Sequence, residues 1–459
     1  MRIRLGSPLS LCEVTEIFQI PAPTRDAEFQ YITTDSREAM SGDLFVSLSE
    51  IPIDSLKHTA EARERGAVTL GAFGDLRVKD TSSMLLRLAN YYKRTRLTAL
   101  NHTVAITGSV GKTTTKEFAK SILGGFYKVH ASPGNYNNRI GLPLAILTAK
   151  PDTEILLLEC GMNAVGEISE LSNCIEPDIA VITNIGTSHI GNLGSREAIA
   201  KAKLEILDGM SSGVLIRPLS EPLLESNKKA VTFSVEDEGT TDDADYTATN
   251  IQTSDSGIEF VLHVSKYEEA KISFPLTARH LIPDLLAAVA AVREIGMPLK
   301  VISEAITDLG ESLVRHRFID MGRFTLLDDS YNSSLESARS AIDLLLSRPA
   351  TRHTAVFGDI LELGTHSKEI HRALGRYAAG GVDRIIAYGE FASYIKEGAL
   401  ARGMSDGQIL VIGRDSGIEY IREILNKTII EGELILIKGS NRTGLWKLSL
   451  ALRGEINDG

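Results

Sequence analysis

Cysteine is scarce in this 459-residue chain, with only Cys12, Cys160 and Cys174 and no C-x-x-C pair. No disulfide framework or cysteine-built metal site is indicated, and small buried thiols in a reducing compartment are the expectation. Long apolar runs are missing as well. No stretch approaches the roughly 18 uninterrupted apolar residues of a membrane span. The N-terminal MRIRLGSPLSLCEV carries arginines but no sustained apolar segment of the secretory kind. A cytoplasmic protein is expected. Positive charge is also in deficit, with 49 Lys+Arg against 60 Asp+Glu and a formal net charge of -11. That balance argues against a surface that wraps nucleic acid, because phosphate backbones select basic faces. A local nucleotide site, which needs one loop and one lysine, stays open.

What is present is an alternation of strands and helices. The runs EILLLEC (154–160) and DIAVITN (178–184) are short and rich in Ile, Leu and Val, as strands buried on both faces should be. AVGEISELSNC and SREAIAKAKLEILDGM between and after them have helical spacing. The pattern predicts an α/β fold with a mainly parallel central sheet. Before it, DLFVSL reads as a strand and HTAEARERGA as a helix, and a further helix is expected from about Met84 to Leu100. The acidic, polar stretch 234–260 reads as an exposed excursion running into a β-hairpin. The alanine-rich IPDLLAAVAAVREIG reads as a helix with Pro283 in its first turn. A second α/β alternation, with strands in RFTLLDD, TAVFGDI, DRIIAYG, QILVIG and ELILIKG, fills the C-terminal third. Three domains are the economical count.

The segment NHTVAITGSVGKTTTKEF (101–118) is a strand, a glycine turn and a helix start. Gly108, Ser109 and Gly111 let the backbone turn its N–H groups inward, and a helix N-terminus adds partial positive charge. Lys112 can reach the terminal phosphates, Thr113 can offer a hydroxyl to magnesium, and Thr114 continues the helix start. The usual spacing puts a further glycine at position 106, where this chain has Ile106. Metal ligands for such a site gather at strand ends of the same sheet. Glu159 ends one strand, and His189 follows the next.

Several ordered stretches then resemble one family. TGSVGKTTTKE, GNYNNRIGLPLAIL, LECGMNAVGEISELSNCIEPDIAVITNIGTSHIGNLGS and AKAKLEIL together look like the Mur ligases of peptidoglycan synthesis. YITTDSREAMSGDLFVSL, LLDDSYNSSLESA, VFGDILELGTHSKEIHRALG and LIKGSNRT extend the likeness over nearly the whole chain. The resemblance implies ATP, two magnesium sites and an acyl-phosphate route to an amide. It implies UDP-N-acetylmuramoyl-tripeptide as acceptor, D-alanyl-D-alanine as donor, and a monomer. It also implies a small N-terminal α/β domain binding the UDP substrate (1–83), a central P-loop domain (84–312) and a Rossmann-like C-terminal ligase domain (313–459).

By the same resemblance Lys112 faces the transferring phosphate, Thr113 and Glu159 hold one magnesium, and His189 holds a second with Lys203. Lys203 matches the family lysine that is carbamylated; a carbamate offers magnesium a hard anionic oxygen where an ammonium would repel it. Lys201 keeps the reading of a solvated helix lysine. Asn135, Asn137 and Asn138 match a polar segment beside the reacting carboxylate, with an asparagine-rich turn as the plainer reading. His280 falls on the adenine side, Arg317 faces phosphate and Asp329 lies near the ribose. Tyr331 and Asn332 border the dipeptide, and Asp35, Ser36 and Arg37 match the uridine contact.

Four departures accompany the match. Ser55-Leu56 stand where the family has Gly-His, and Leu281 and Asp284 stand where it has asparagines. Ser333, Ser334, Leu335 and Glu336 replace Ala-Asn-Pro-Asp, and KGSNRTGLW lacks the usual Met-Glu. The phosphoryl-transfer residues match while the substrate edges drift. A family ligase with another donor or acceptor, and a nucleotide-binding regulatory protein without ligase activity, are the alternatives.

Overall fold

The computed structural model describes residues 1–21, 26–48, 52–236, 244–254, 257–265, 268–310 and 317–455. Three sheets follow one another along the chain. In the first, Arg2–Ser10 runs antiparallel to Glu28–Thr33, and Leu44–Val46, Val68–Gly71 and Leu76–Arg77 continue in parallel. The third has the spatial order Arg317–Asp320, Phe324–Asp329, Glu433–Lys438, Arg352–Gly358, Arg384–Tyr388, Ile409–Ile412. Only its first pair is antiparallel.

The second sheet is the largest, with nine strands. Its parallel part reads Tyr246–Ser254, Lys229–Val235, Val214–Pro218, Ile179–Ile182, His102–Thr107, Ile155–Glu159, Val129–Ala131. Gly257–Val264 and Glu268–Phe274 extend it antiparallel. Every residue of Ile155–Glu159 and of Ile179–Ile182 is buried, as a strand covered on both faces requires. The helices Lys112–Leu123 and Ile282–Glu294 pack against each other over this sheet. The second of these is buried almost continuously from Leu285 to Val292, which explains its lack of a polar face. Pro283 sits in its first turn, where no intrahelical donor is lost.

The strand order fixes where chemistry can happen. His102–Thr107 lies between Ile155–Glu159 on one side and Ile179–Ile182 on the other. Chain leaving its C-terminal end therefore enters a crevice flanked by the ends of two neighbouring strands, the switch point at which open parallel sheets bind ligands.

Two expectations need correction. The helix expected over 84–100 is Thr81–Arg96, because the Asp80 side chain accepts from Ser83 N–H and starts it earlier. The expected division at residue 83 thus falls inside a helix, and that at 312 lies outside the described residues. Tyr246–Ser254 does form a hairpin with Gly257–Val264, but it is no excursion: it joins the central sheet beside Lys229–Val235. Residues 237–243, the most acidic part of that stretch, lie outside the described residues.

In the C-terminal domain the helices Ser367–Ala378 and Ala392–Ala401 cross at glycines. A Cβ on Gly375 would stand 1.9 Å from the Ile395 carbonyl oxygen, and one on Gly398 would stand 2.0 Å from that of Arg372. Alanine is the better helix former by about 1 kcal/mol, yet the methyl has nowhere to go. Gly375→Ala and Gly398→Ala should each lower unfolding stability by roughly 1–3 kcal/mol in urea titrations. Unchanged midpoints would show that the crossing is looser than described.

Candidate functional site

The phosphate loop is shaped from below by its neighbours. Ile106 is fully buried and pairs with Glu159 and Val181, so the strand simply continues through the position where a glycine was expected. The turn comes at Gly108, whose φ is +153° and whose Cβ would meet Thr183 Oγ1 at 1.8 Å. Gly111 caps the helix in the left-handed region at φ +82°, where a Cβ would meet Asp284 Oδ1 at 2.1 Å. Both positions exclude side chains. Asn184 Oδ1 accepts from the N–H groups of Ser109 and Val110 at 3.1 Å each, and Thr183 Oγ1 donates to the Val110 carbonyl. Ser109 Oγ accepts from Gly186 N–H at 2.8 Å, which makes this serine a brace of the loop. Lys112, Thr113 and Thr114 make the first turn of the helix, the end whose partial positive charge suits an anion. The Lys112 ammonium lies back over the loop, 2.7 Å from the Gly108 carbonyl oxygen.

Glu159 and Thr113 do come together. Thr113 Oγ1 donates to Glu159 Oε2 at 3.2 Å. The other carboxylate oxygen is 3.0 Å from Lys116 Nζ, a fully buried ammonium that also donates to the Ser132 carbonyl at 2.7 Å. Sequence reading missed Lys116, although it lies one helical turn beyond Lys112, the spacing that puts two side chains on one face.

His189 caps a short helix in the left-handed region, φ +64°, and its Nδ1 is 2.8 Å from Glu362 Oε2. Burial holds this imidazole below the ordinary histidine range; Glu362 acts the other way, and Lys203 and Lys112 reinforce the burial. Lys203 is 2% exposed while Lys201 is exposed, so one helix phase separates the two. Burial, then the nearby Lys112 ammonium, pushes the Lys203 amine well below the usual lysine range.

The C-terminal domain roofs this arrangement. Glu336 accepts from both the backbone N–H (2.9 Å) and the hydroxyl (3.1 Å) of Thr187, and Gly191 N–H donates to the Glu362 carbonyl at 3.0 Å. The replacement residue Glu336 is thus an interdomain contact, and neighbouring Ser334 caps the helix Leu335–Leu346. Asp329 Oδ2 is 2.5 Å from Lys438 Nζ, which also donates to the Asn332 carbonyl at 2.9 Å. Lys438 is another buried cation that the sequence left unmarked as a site residue.

A cavity of about 1030 Å3 runs between the two domains. Its wall brings together Gly108, Ser109, Gly111, Lys112, Thr113, Thr114, Glu159, His189 and Lys203 from the central sheet. Asn135, Asn137, Asn138 and His280 also line it, and Asp329, Tyr331 and Asn332 face them from the C-terminal domain. Asn138 Oδ1 accepts from Ile140 and Gly141 N–H, which commits its oxygen to a helix start. Asp35, Ser36 and Arg37 do not line the cavity. Asp35 and Arg37 form a salt bridge at 2.6 Å, and the buried Ser36 hydroxyl donates to Glu61 and meets His58. In the same domain Ser55 is buried against Ser47, whereas Leu56 is exposed. Arg317 begins a strand paired with Phe324–Asp329; its side chain lies outside the described residues.

A phosphate loop at a sheet switch point, a carboxylate at the adjacent strand end and a third domain roofing the cavity define an α/β protein built for nucleotide-dependent group transfer. The chain belongs to the Mur ligase family: residues 106–292 match the Mur ligase middle domain and 315–441 the Mur ligase, glutamate ligase domain. It is 34% identical over 424 residues to the UDP-N-acetylmuramoyl-tripeptide–D-alanyl-D-alanine ligase of Bacillus subtilis, covering 89% of this chain and 90% of that protein. The Synechocystis protein of the same name is 30% identical over 484 residues, covering 98% and 99%. The crystal structure of MurF from Acinetobacter baumannii superposes with a TM-score of 0.85 at 28% identity, over 98% of this chain and 100% of that one.

Asp284, an acid where the family pattern has an amide, sits against Gly111 in this wall. Burial pushes its carboxyl up to about 7, and the Lys112 ammonium only partly offsets this. The folded state therefore holds a proton that the unfolded chain releases near pH 4, and stability falls as pH rises from about 4 to 7. Asp284→Asn removes that loss. The variant should gain up to roughly 4 kcal/mol over the parent at pH 8 and almost nothing at pH 4. Unfolding titrations at the two pH values check this; an equal difference at both would refute the assignment.

Proposed function

We propose that this chain is an ATP-dependent amide ligase that joins D-alanyl-D-alanine to UDP-N-acetylmuramoyl-tripeptide. The observation that carries the reading is the cavity walled by the phosphate loop on one side and by the strand ends of the C-terminal sheet on the other. Its near-full-length likeness to enzymes of that name supports the substrates.

In this reading a carboxylate oxygen of the tripeptide attacks the γ-phosphorus of ATP, and ADP leaves with its electron pair. The dipeptide amine then adds to the acyl carbon, loses a proton, and the tetrahedral intermediate expels phosphate. Lys112 and the helix N-terminus steady the charge on the moving phosphate. Asn135, Asn137 and the amide of Asn138 offer neutral donors beside the acyl carbon without competing as nucleophiles. His280, Arg317 and Asp329 take the nucleotide, and Tyr331 and Asn332 border the donor. The N-terminal sheet, with Asp35 and Arg37 outside the cavity, takes the uridine end of the acceptor. The three tasks divide among the N-terminal, central and C-terminal sheets, with the helix Thr81–Arg96 between the first two.

The donor set fits magnesium. Thr113 and Glu159 already converge, and the burial-lowered His189 keeps a ring nitrogen available for a hard cation. Among the described residues no three His, Cys, Asp or Glu side chains cluster, so hydroxyl and phosphate oxygens belong in the set. Bound there, magnesium supplies positive charge to the phosphate oxygens. A lysine amine kept neutral by burial adds readily to carbon dioxide, releasing a proton and leaving a carbamate; Lys203 meets that condition. A monomer working in the cytoplasm completes the reading. No helix among the described residues is long and apolar enough to cross a membrane.

Phosphate release should require the tripeptide and the dipeptide together. Lys203→Ala should reduce kcat by about 10²–10³, the range for losing one organiser of transition-state charge, and bicarbonate should not restore it. Release that ignores either substrate contradicts the ligase reading, and a fully active Lys203→Ala contradicts the carbamate.

A further inference from the structure

Two lysines one helical turn apart, Lys112 and Lys116, follow the phosphate loop, and of the two only Lys112 lines the main cavity. Lys116 is fully buried, and its ammonium meets the neighbouring strand ends instead. Its Nζ is 3.0 Å from Glu159 Oε1 and donates to the Ser132 carbonyl at 2.7 Å. A second carboxylate at 3.1 Å, that of Glu117, follows it on the same helix, is partly exposed and also meets Lys120. The two oxygens of Glu159 are thereby divided. Oε2 accepts from the Thr113 hydroxyl at 3.2 Å. Among the described residues no hydrogen bond reaches Oε1, so the charge of Lys116 is what compensates it. Ser132 locks the arrangement from behind: its carbonyl holds the ammonium, and its hydroxyl accepts from Glu159 N–H at 3.0 Å. A carboxylate held at both oxygens cannot turn to present the pair on one side.

The inference rests on the magnesium reading of Thr113 and Glu159 above. A cation taken there meets one carboxylate oxygen, one hydroxyl and the oxygens that the nucleotide and water bring. Few fixed oxygens suit magnesium, which demands octahedral geometry at short range and keeps several of its waters. Calcium takes about six to eight oxygens at longer range, and it gains from a carboxylate that can bind through both of its own. We infer that Lys116 is a positioning residue that sets the metal preference of this site. By holding Oε1 it limits Glu159 to a single oxygen, and that limit favours magnesium over calcium.

The test reads binding and not turnover. The affinity of the full-length protein for ADP is measured by calorimetry, once with saturating magnesium and once with saturating calcium. The parent should bind ADP at least about tenfold more tightly with magnesium. In Lys116→Met that ratio should fall to within about threefold, because Oε1 becomes available to the larger ion. Lys116→Gln, which keeps a donor but no charge, should fall between. It carries the comparison if melting curves show that the methionine variant does not fold. Adding Lys116→Met to Glu159→Gln should change the ratio no further, since Lys116 acts through that carboxylate; a lysine that only supports the fold would act alike on both backgrounds. A parent indifferent to the ion overturns the inference. So do folded Lys116 variants that keep the parent's preference, or an equal effect with and without the Glu159 carboxylate. A Glu159→Gln variant that binds ADP with magnesium as the parent does overturns the magnesium reading of Glu159 and this inference with it. The ligase reading is decided separately, by phosphate release.

Discussion

Glu159 is 1% exposed, and a carboxylate so far from water has to be compensated where it stands. Lys116 and Thr113 do this from the first turns of one helix. The pair binds the end of the strand Ile155–Glu159 to the helix that begins at Lys112, so the phosphate loop cannot move independently of the acid beside it. Lys116 also reaches the carbonyl of Ser132, whose hydroxyl accepts from Glu159 N–H at 3.0 Å. Losing Lys116 leaves the Glu159 carboxylate without its counter-charge in a dry interior, whereas Lys116 itself also meets Glu117 at 3.1 Å. This constraint gives the loop its rigidity, and Asn184 and Thr183 complete it from the opposite strand.

On that fixed base the C-terminal domain closes by polar contacts of modest number. Glu336 on Thr187 and Glu362 on His189 are the specific ones, and the close approach of Gly191 to Gly364 leaves no room for a side chain between them. A roof held by a few hydrogen bonds can exclude water from a reactive acyl phosphate and still open to release product. The same Glu362 that meets His189 also faces Arg442, so one side chain ties the histidine to the rim of the main cavity.

Much of this was legible in the sequence, for identifiable reasons. Strands buried on both faces, such as Ile179–Ile182, announce themselves by unbroken apolar runs, and the glycine loop announces itself by chemistry. Other parts were hidden. Tyr246–Ser254 is buried only in its first residues and then runs out to solvent, so its composition reads as a loop. The Asp80 cap was readable from Asp-Thr-Ser-Ser but lost to the apolar pattern that starts at Met84. Lys116 and Lys438 look like any surface lysine until their carboxylate partners are known. Glu336 and Thr187 are 149 residues apart, a separation across which no local pattern carries information. Asn138 shows the opposite case: the plain turn reading and the site reading both hold, since its oxygen caps a helix while the residue lines the cavity.

In the proposed reaction the γ-phosphate of ATP passes to a peptide carboxylate inside the cavity. The most direct measurement follows oxygen. UDP-N-acetylmuramoyl-tripeptide labelled with oxygen-18 in its terminal carboxylate is turned over with ATP and D-alanyl-D-alanine, and the released phosphate is analysed by mass. Transfer through an acyl phosphate requires one labelled oxygen in each phosphate formed. Unlabelled phosphate, with the amide still being made, would rule out that transfer.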